Sequence, residues 1–327
     1  MTINNNLIEN KNSINYLYFI NLQNSWLLIK KLVSLHSKET ISLFFFLIQS
    51  DYLILSLVLK FISKIFSKKL KIYYLMHEPR FEKGRINPIK AFIVFVYHLL
   101  FGYLADKILL PSDKALLKAE SFIRIDKLYK INLSFVSPAA TDLEKNLAQL
   151  KFTWDNAKTF SLLGRVDVDK NPQGFLNLAN KIKQHYPETT RFIRAGRDRN
   201  IEVPYDEELI IRFPSFISSS AKEFLLGLTH FAVIPYSFST QSGVIAEALS
   251  YGKLLIINDI HAFSYLKDLK FVFIVDFNDD TAIVKCIHEI FRIDVNEYET
   301  RYLEAIKYFE DNHSVKYLSK ELSNILL

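Results

Sequence analysis

The sequence predicts an α/β protein of two domains with parallel sheets, and three observations lead to that fold class. With 327 residues, the chain has room for about two domains. Its second half alternates short apolar runs with helical patterns, which is typical of βα units. Residues 231–259, FAVIPYSFSTQSGVIAEALSYGKLLIIND, read as strand, polar loop, helix and strand. The loop therefore follows the carboxyl end of a strand, where open α/β sheets bind ligands.

The composition is that of a folded protein with a large core. Hydrophobic residues make up 50% of the chain, with 27 Phe and 17 Tyr against 8 Gly, which excludes a disordered or repetitive chain. The single cysteine, Cys286, rules out a disulfide within the chain and indicates a reducing compartment. The Asn-rich start does not resemble a signal peptide. We therefore expect a cytoplasmic protein.

Positive charge is concentrated in the first half of the chain. The net charge is +6, but residues 1–150 have a balance of +9 and the remainder a balance of −3. No zinc-finger spacing or aromatic RNA-binding motif accompanies the basic half, so nucleic acid is not an expected partner. An anionic membrane surface is the better candidate, with peripheral binding at the inner face of the membrane.

The first half predicts a sheet with helices between its strands. Strands are expected at 14–20, 70–76, 107–110 and 133–136, and helices at 26–35 and 57–66, while the state of 41–48 stays open. The strand at 70–76 leads into a loop that begins with His77. Ser112 is placed to cap the following helix. The polar stretch 137–155 is expected to contain the domain linker.

Residues 91–105 are the most apolar helix candidate. They number 15 and include His98, which is short of the roughly 20 residues that a membrane span needs. One interpretation is a helix buried against the sheet. The other is a helix in the membrane interface, supported by the lysines at 60, 64, 68, 69 and 71.

The second half can be followed strand by strand. Strands are expected at 159–163, 191–195, 209–213, 231–234, 254–257 and 271–275, and helices at 219–228, 244–251, 280–291, 297–309 and 315–326. After the first of these strands, Asn171 and Pro172 occupy the cap and first positions of another helix. Gly252 is expected to end the helix at 244–251 in a left-handed conformation.

The start of the helix at 244–251 has the residues of a nucleotide site. Ser242 and Gly243 place N–H groups at a helix N-terminus, which suits a phosphate. Glu247 lies one turn further along the same face, where it could accept two hydrogen bonds from a ribose diol. The alternative is an ordinary strand–helix corner with a solvated glutamate.

The loop after the strand at 159–163, GRVDVDKNPQG, adds two cations. Arg165 and Lys170 follow Gly164 and precede the next helix, so they could neutralise a diphosphate. Taken alone, this segment could be a basic surface loop. Because both loops follow strands of one predicted sheet, a shared site is the preferred interpretation.

The two motifs SLLGRVDVDKNPQGFLNLA and VIPYSFSTQSGVIAEALSYGKLLIIND resemble the C-terminal domain of the GT-B glycosyltransferases, of the large retaining group 1 type. The resemblance covers residues 155–327 well and the first half mainly in layout. It implies an α/β chain with two Rossmann-like domains facing a cleft. The acceptor domain would span 1–150 and the nucleotide-sugar domain 151–312, and a helix at 313–327 would return to the first domain.

The resemblance also implies an activity, namely the retaining transfer of a sugar from a nucleotide-diphosphate sugar to a glycan or lipid-linked acceptor in cell-surface polysaccharide synthesis. Arg165 and Lys170 match the basic pair that holds the donor diphosphate and stabilises the leaving group. His77 matches a histidine that often contacts the transferred sugar.

The phosphate and ribose sites follow from the same resemblance. Ser242, Gly243 and Val244 match the phosphate-binding helix start. Glu247 matches the second glutamate of the family's Glu-x7-Glu motif, which binds the donor ribose.

The sequence departs from the family in two places. Ser239 stands where the first glutamate of that motif would hold the donor sugar, and Thr240 and Gln241 could supply substitute hydrogen bonds. The first βα loop, residues 21–24, lacks the usual glycines.

No cofactor and no metal ion are expected, because Arg165 and Lys170 would stabilise the leaving diphosphate. The pair Asp167 and Asp169 has the spacing of a metal-binding Asp-x-Asp, and this interpretation is not favoured in such a loop. Two other functions stay open. One is a non-catalytic GT-B-like subunit that binds a nucleotide or a partner, and the other is a nucleotide-sugar epimerase, which would need more carboxylates.

Overall fold

The chain divides into two compact units, Met1–Asn132 and Leu133–Leu327. The structure, a computed structural model, describes residues 7–10, 13–19, 34, 40–45, 50–67, 69–76, 79, 87–154, 157–187, 189–199, 208–239 and 242–326. The division lies earlier than the predicted boundary at 150. That boundary falls inside a helix of the second unit, Ala140–Thr153.

The described part of the first unit forms a six-stranded sheet whose strands follow chain order. They are β1 (Leu7–Asn10), β2 (Ser13–Phe19), β3 (Thr40–Phe45), β4 (Lys69–Leu75), β5 (Lys107–Leu110) and β6 (Leu128–Lys130). β1 pairs antiparallel with β2, and the remaining pairs are parallel. Parallel strands in this order are typical of an α/β domain covered by crossover helices.

Helices join the later strands of this sheet: α1 (Ser50–Ile65), α2 (Pro88–Leu104) and α3 (Asp113–Glu120). Asn87 caps α2, since its side chain accepts a hydrogen bond from the Ile89 N–H at 2.9 Å. Ser112 caps α3 in the same way, as predicted, by accepting from the Ala115 N–H at 3.2 Å. Crossovers between parallel strands are right-handed, so strands in chain order place these helices on one face of the sheet.

The second unit has a parallel sheet with the order β12-β11-β10-β7-β8-β9. Its strands are β7 (Lys158–Leu163), β8 (Thr190–Ala195), β9 (Ile210–Phe213), β10 (Phe231–Ile234), β11 (Leu254–Asn258) and β12 (Val272–Val275). The chain first builds outward from β7 and then returns to place β10 on the other side of β7. This reversal is a topological switch point, where ligands bind at the carboxyl ends of the strands.

Apart from the helix Ala140–Thr153, which was not predicted, the helices of the second unit follow the predicted positions closely. They are α4 (Ala140–Thr153), α5 (Pro172–His185), α6 (Ser219–Leu228), α7 (Gly243–Ser250), α8 (Asp280–Arg292), α9 (Val295–Asn312) and α10 (Val315–Leu326). Short 3-10 segments at Val168–Lys170 and His261–Leu266 complete the description. α8 buries the four residues that its spacing predicted, which are Ile283, Cys286, Ile287 and Ile290.

Two sequence predictions are wrong at the boundary between the units. The predicted strand at 133–136 forms only a single bridge, from Phe135 to Ser314. The polar stretch 137–155 is mostly α4, whose Leu150 is buried in the core of the second unit. Trp154, next to its end, stacks on Tyr298 of α9 with ring centroids 4.3 Å apart. A few buried side chains therefore place a mostly polar helix in that core.

Three other predictions have different outcomes. The open segment at 41–48 overlaps β3, which runs from Thr40 to Phe45. The predicted helix at 26–35 lies outside the described residues, apart from Ser34. The predicted return of the last helix to the first domain stays a prediction.

Candidate functional site

The loop after β7 begins with a sharp change of backbone direction. Gly164 has φ +98°, a conformation that side chains disfavour. Gly196, after the neighbouring strand β8, has φ +123°, and a Cβ there would lie 2.3 Å from the Gly164 carbonyl oxygen. The two loops can approach this closely only because position 196 has no side chain.

A helix cap ends the same loop. Asn171 takes a left-handed conformation with φ +44° and accepts a hydrogen bond from the Gly174 N–H at 3.1 Å. Pro172 follows as the first residue of α5, where its missing N–H has no cost. The predicted cap and first position are confirmed, and they hold Lys170 at the start of the helix.

The loop after β10 leads into α7. Tyr236 is buried, and so is Ser242, the residue before the helix. The Ser242 side chain makes no capping bond. In the described part of the chain, no backbone carbonyl accepts a hydrogen bond from the amides of Gly243 and Val244, as is usual for the first turn of a helix. Amides in this position suit the binding of an anion.

Gly243 has a second structural reason for lacking a side chain. A Cβ at this position would lie 3.1 Å from Cζ of the Phe135 ring. The absence of a side chain therefore accommodates Phe135 as well as leaving the helix start open.

The two loops meet at the switch point of the sheet. The Ser237 N–H donates to the Asp169 carbonyl oxygen at 3.0 Å. Lys170 Nζ lies 3.6 Å from the centroid of the Tyr236 ring, a distance typical of a cation–π contact. Val244 lies beside Gly164, with its Cγ2 only 3.7 Å from where a Cβ at 164 would be. The structure thus brings the predicted diphosphate loop and the predicted phosphate-binding helix together.

Arg165 and Lys170 bring two cationic side chains to the site. The Arg165 side chain is 60% exposed, and its guanidinium lies 3.6 Å from Asp167. Burial raises the pKa of the Tyr236 phenol above its ordinary range, so this ring stays neutral beneath Lys170. A partly exposed arginine and a lysine held over a neutral ring suit the binding of a diphosphate.

Glu247 is engaged in an ion pair that the sequence did not reveal. Its carboxylate contacts the ammonium of Lys222 on α6, and its side chain is 22% exposed. Both residues line a small cavity with Ser161, Val233 and Val244. Glu247 is therefore neither fully solvated nor unpaired, and a ribose would share it with Lys222.

A charge network built on the buried side chain of Arg194 supports the loop after β7. Arg194 is 1% exposed, donates to the Gly164 carbonyl oxygen at 3.4 Å and pairs with Asp198 at 2.5 Å. Arg212 holds the other oxygen of Asp198 at 2.8 Å. No role was predicted from the sequence for these three residues. An arginine within a buried strand was a sequence signal that could have identified Arg194.

The structure describes only some of the remaining residues that the sequence predicts for the site. His77, Thr240 and Gln241 lie outside the described residues. Ser239 is buried, so its side chain is not exposed to solvent. Within the parts of the chain that the structure covers, no three His, Cys, Asp or Glu side chains are grouped to hold a metal ion.

Comparison with known proteins supports the fold. No family profile matches the chain, and no curated protein matches it significantly. Solved structures do match. The Candida albicans trehalose-6-phosphate phosphatase N-terminal domain is 14% identical with a TM-score of 0.63, and the match covers 93% of this chain and 74% of that one.

Two further structures give similar values. An α,α-trehalose-phosphate synthase (UDP-forming) from Burkholderia xenovorans, in complex with glucose-6-phosphate, is 12% identical with a TM-score of 0.61, covering 93% of this chain and 77% of that one. Anabaena HepE in complex with UDP is 14% identical with a TM-score of 0.62, covering 92% and 81%. The chain therefore has the fold class predicted for it, two parallel-sheet α/β domains of the GT-B type.

Proposed function

We propose that this chain is a retaining glycosyltransferase that moves a sugar from a nucleotide-diphosphate sugar to a glycan or lipid-linked acceptor, in cell-surface polysaccharide synthesis. The observation that carries the proposal is the meeting of two loops at the switch point. One loop brings Arg165 and Lys170, and the other brings the open N-terminus of α7. The structures of the same fold with UDP and with a UDP-forming activity support a nucleotide-sugar donor.

In this proposal the chain stabilises the leaving group. The bond between the anomeric carbon and the diphosphate breaks through an oxocarbenium-like state, and negative charge grows on the diphosphate. That negative charge would be stabilised by Arg165, Lys170 and the amides of Gly243 and Val244. Fixed donors aimed at developing charge are usually the largest contribution to such catalysis. No metal ion and no cofactor are needed for this step.

Other residues would fix the donor. Glu247 would accept hydrogen bonds from the ribose, and Lys222 would hold its carboxylate in place. Thr240 and Gln241 would contact the donor sugar where Ser239 replaces a carboxylate. By the same resemblance, His77 would contact the transferred sugar. We place the protein in the cytoplasm, which the single buried cysteine also favours.

A second candidate is a subunit that binds a nucleotide without transferring a sugar. It is favoured by Ser239, a buried serine at the position where the family's carboxylate would hold the donor sugar. Its presence leaves the phosphate and ribose sites intact and weakens the site for the sugar.

One experiment in two stages tests both candidates. The thermal midpoint of the full chain is first measured against a panel of nucleotide-diphosphate sugars, since a ligand of the native state raises it. Turnover of the stabilising donor is then measured with glycan and lipid-linked acceptors. Stabilisation with turnover supports the transferase, and stabilisation without turnover supports the binding subunit. If no nucleotide-diphosphate sugar raises the thermal midpoint, the protein has neither function.

A further inference from the structure

α1 and α2 lie side by side on one face of the first unit's sheet. They join β3 to β4 and β4 to β5, which are consecutive parallel strands. Right-handed crossovers in one direction place both helices on the same face, and the two helices contact each other. Their outward sides therefore form one continuous surface.

That surface is apolar. Large hydrophobic side chains are exposed along both helices, and we call them the apolar helix face: Ile54, Leu57, Val58, Phe61, Ile65, Ile89, Phe92, Ile93, Leu99, Leu100 and Tyr103. Their spacing of three and four residues gives each helix one outward stripe. Phe61 and Phe92 are each 67% exposed and Tyr103 is 84% exposed. Soluble monomers rarely expose apolar patches larger than a few hundred Å².

Packing inside the domain does not require these side chains. Leu59 of α1 and Phe101 of α2 supply the buried contacts to the sheet. Phe101 stacks on Tyr74 of β4 with centroids 4.5 Å apart. α2 is thus apolar on its outward side as well as on its inward side, which is expected of a helix whose outer face meets an apolar medium.

The described charges at this surface are positive. Three exposed lysines lie near the ends of the helices: Lys64 in the last turn of α1, Lys69 at the start of β4, just after α1, and Lys90 in the first turn of α2. The nearby acid Asp106 is neutralised by Lys60, with Nζ 2.7 Å from its carboxylate. At the C-terminal end of α2, Lys127 donates to the carbonyl oxygens of Gly102, Tyr103 and Ala105. An apolar area with lysines at its rim is complementary to anionic headgroups over acyl chains.

We propose that the apolar helix face docks on the surface of an anionic phospholipid bilayer. The aromatic and aliphatic side chains would enter the interfacial layer, and Lys64, Lys69 and Lys90 would meet the headgroups. Both helices would lie along the surface, and in the described residues no helix is long and apolar enough to cross a membrane. This inference does not rest on the proposed transferase activity.

Vesicle flotation of the full chain tests the proposal. Vesicles of phosphatidylcholine alone are compared with vesicles that contain about one third phosphatidylglycerol, at low and at high salt. We expect binding to the anionic vesicles that falls as salt rises, because surface charges are screened. The triple variant Phe61→Ser, Phe92→Ser and Tyr103→Ser should bind at least tenfold less.

Matched variants in the second unit control for general effects. Phe152, Phe216 and Phe224 are as exposed as the three aromatic residues of the face, so their triple replacement by Ser should leave flotation unchanged. Likewise, Lys64→Glu with Lys69→Glu and Lys90→Glu should abolish the preference for anionic vesicles. The same change at Lys145, Lys285 and Lys307, which are also exposed, should preserve it.

Three results would overturn the proposal. The first is no flotation at low salt, and the second is equal binding by wild type and the aromatic variant of the face. The third is self-association of the wild type, seen by size-exclusion chromatography and lost in that variant, without vesicle binding. This last result would assign the face to a second copy of the chain. Unfolding curves of each variant show whether a loss reflects misfolding.

Discussion

At the scale of single residues, the candidate site depends on charges held by their neighbours. Lys170 is positioned over Tyr236, and Glu247 is paired with Lys222. Arg165 is largely exposed and lies close to Asp167. These side chains can therefore be changed with little effect on the core, which makes their roles testable.

Arg165→Ala and Lys170→Ala should each reduce sugar transfer by roughly a hundredfold or more, the scale for removing one donor to the transition state. Initial rates with the stabilising donor give the measurement. Lys285→Ala, an exposed lysine of α8, is the control and should keep full activity. Wild-type turnover in either site variant would refute the diphosphate assignment.

Glu247→Ala should weaken nucleotide binding by about 1.5–3 kcal/mol, as for hydrogen bonds to a charged group. Lys222→Met removes the ion pair but leaves the carboxylate, so it should affect binding less. Isothermal titration calorimetry of nucleotide binding to each variant measures the two losses of affinity. An equal loss in both variants would mean that the pair maintains the site's structure and that Glu247 makes no contact with the nucleotide.

Lys253 gives a prediction on pH. It is fully buried, its Nζ lies 5.6 Å from the Tyr302 ring centroid, and burial lowers its pKa to about 7. In the unfolded chain Lys253 keeps the ordinary pKa of 10.5. Between pH 7 and 10.5 the unfolded state therefore binds more protons than the folded state. This residue's contribution to the free energy of unfolding should rise with pH through that window, by up to about 1.4 kcal/mol per unit.

The variant Lys253→Met isolates this contribution, since it keeps the volume and removes the titrating group. Its advantage in stability over wild type should be largest near pH 7 and should shrink toward pH 10. Urea unfolding at pH 7, 8.5 and 10 measures the difference. A constant difference across this range would show that the buried amine does not titrate there.

At the scale of elements, the ends of the helices position the site. Asn171 begins α5 and Gly252 follows α7, as their residue types predicted. Gly252 has φ +67°, and a Cβ there would lie 2.5 Å from the Tyr302 ring. The left-handed turn and the close packing of Tyr302 both need glycine at this position.

Gly252→Ala should therefore destabilise the protein by about 3 kcal/mol or more, from backbone strain and overpacking together. Gly227→Ala in α6 is the matched control, because the atom nearest to its new Cβ belongs to the Asn146 side chain, which can move. Thermal unfolding of both variants provides the comparison. Similar midpoints would contradict the packing argument.

At the scale of the whole molecule, the second unit begins well before the first strand of its sheet. α4 contributes Leu150, and the Leu143 carbonyl oxygen accepts a hydrogen bond from the Tyr302 hydroxyl at 3.1 Å. A fragment that starts at residue 133 should therefore fold cooperatively. A fragment that starts at 151 should be less stable by at least about 3 kcal/mol, since losing a buried leucine alone costs 2–5 kcal/mol.

Urea unfolding of the two purified fragments checks this, with the full chain as the reference. If the shorter fragment is as stable as the longer one, α4 does not belong to the second unit's core. In that case the domain boundary predicted from the sequence, at 150, would be the better one.

Much of the fold could be predicted because its signals are local. Short apolar runs located β7 to β12 to within a residue or two at each end, and Asn171, Pro172 and Gly252 marked helix ends. α4 was missed because it is mostly polar and only a few of its side chains, such as Leu150, enter the core. The segment 133–136 was misjudged for the opposite reason, since apolar residues alone do not provide a partner strand.

The pattern of residues alone was sufficient for the fold class, for most helix and strand positions, and for naming the loops after β7 and β10. Only the tertiary structure decided that these two strands are neighbours at a reversal of strand order. It also decided that Arg194 supports Gly164 and that Lys222 pairs with Glu247. The periodicity of hydrophobic residues and the helix-capping residues reflect interactions between residues that are close in sequence. Strand order and ion pairs join residues that are distant in sequence, and only the folded backbone brings them together.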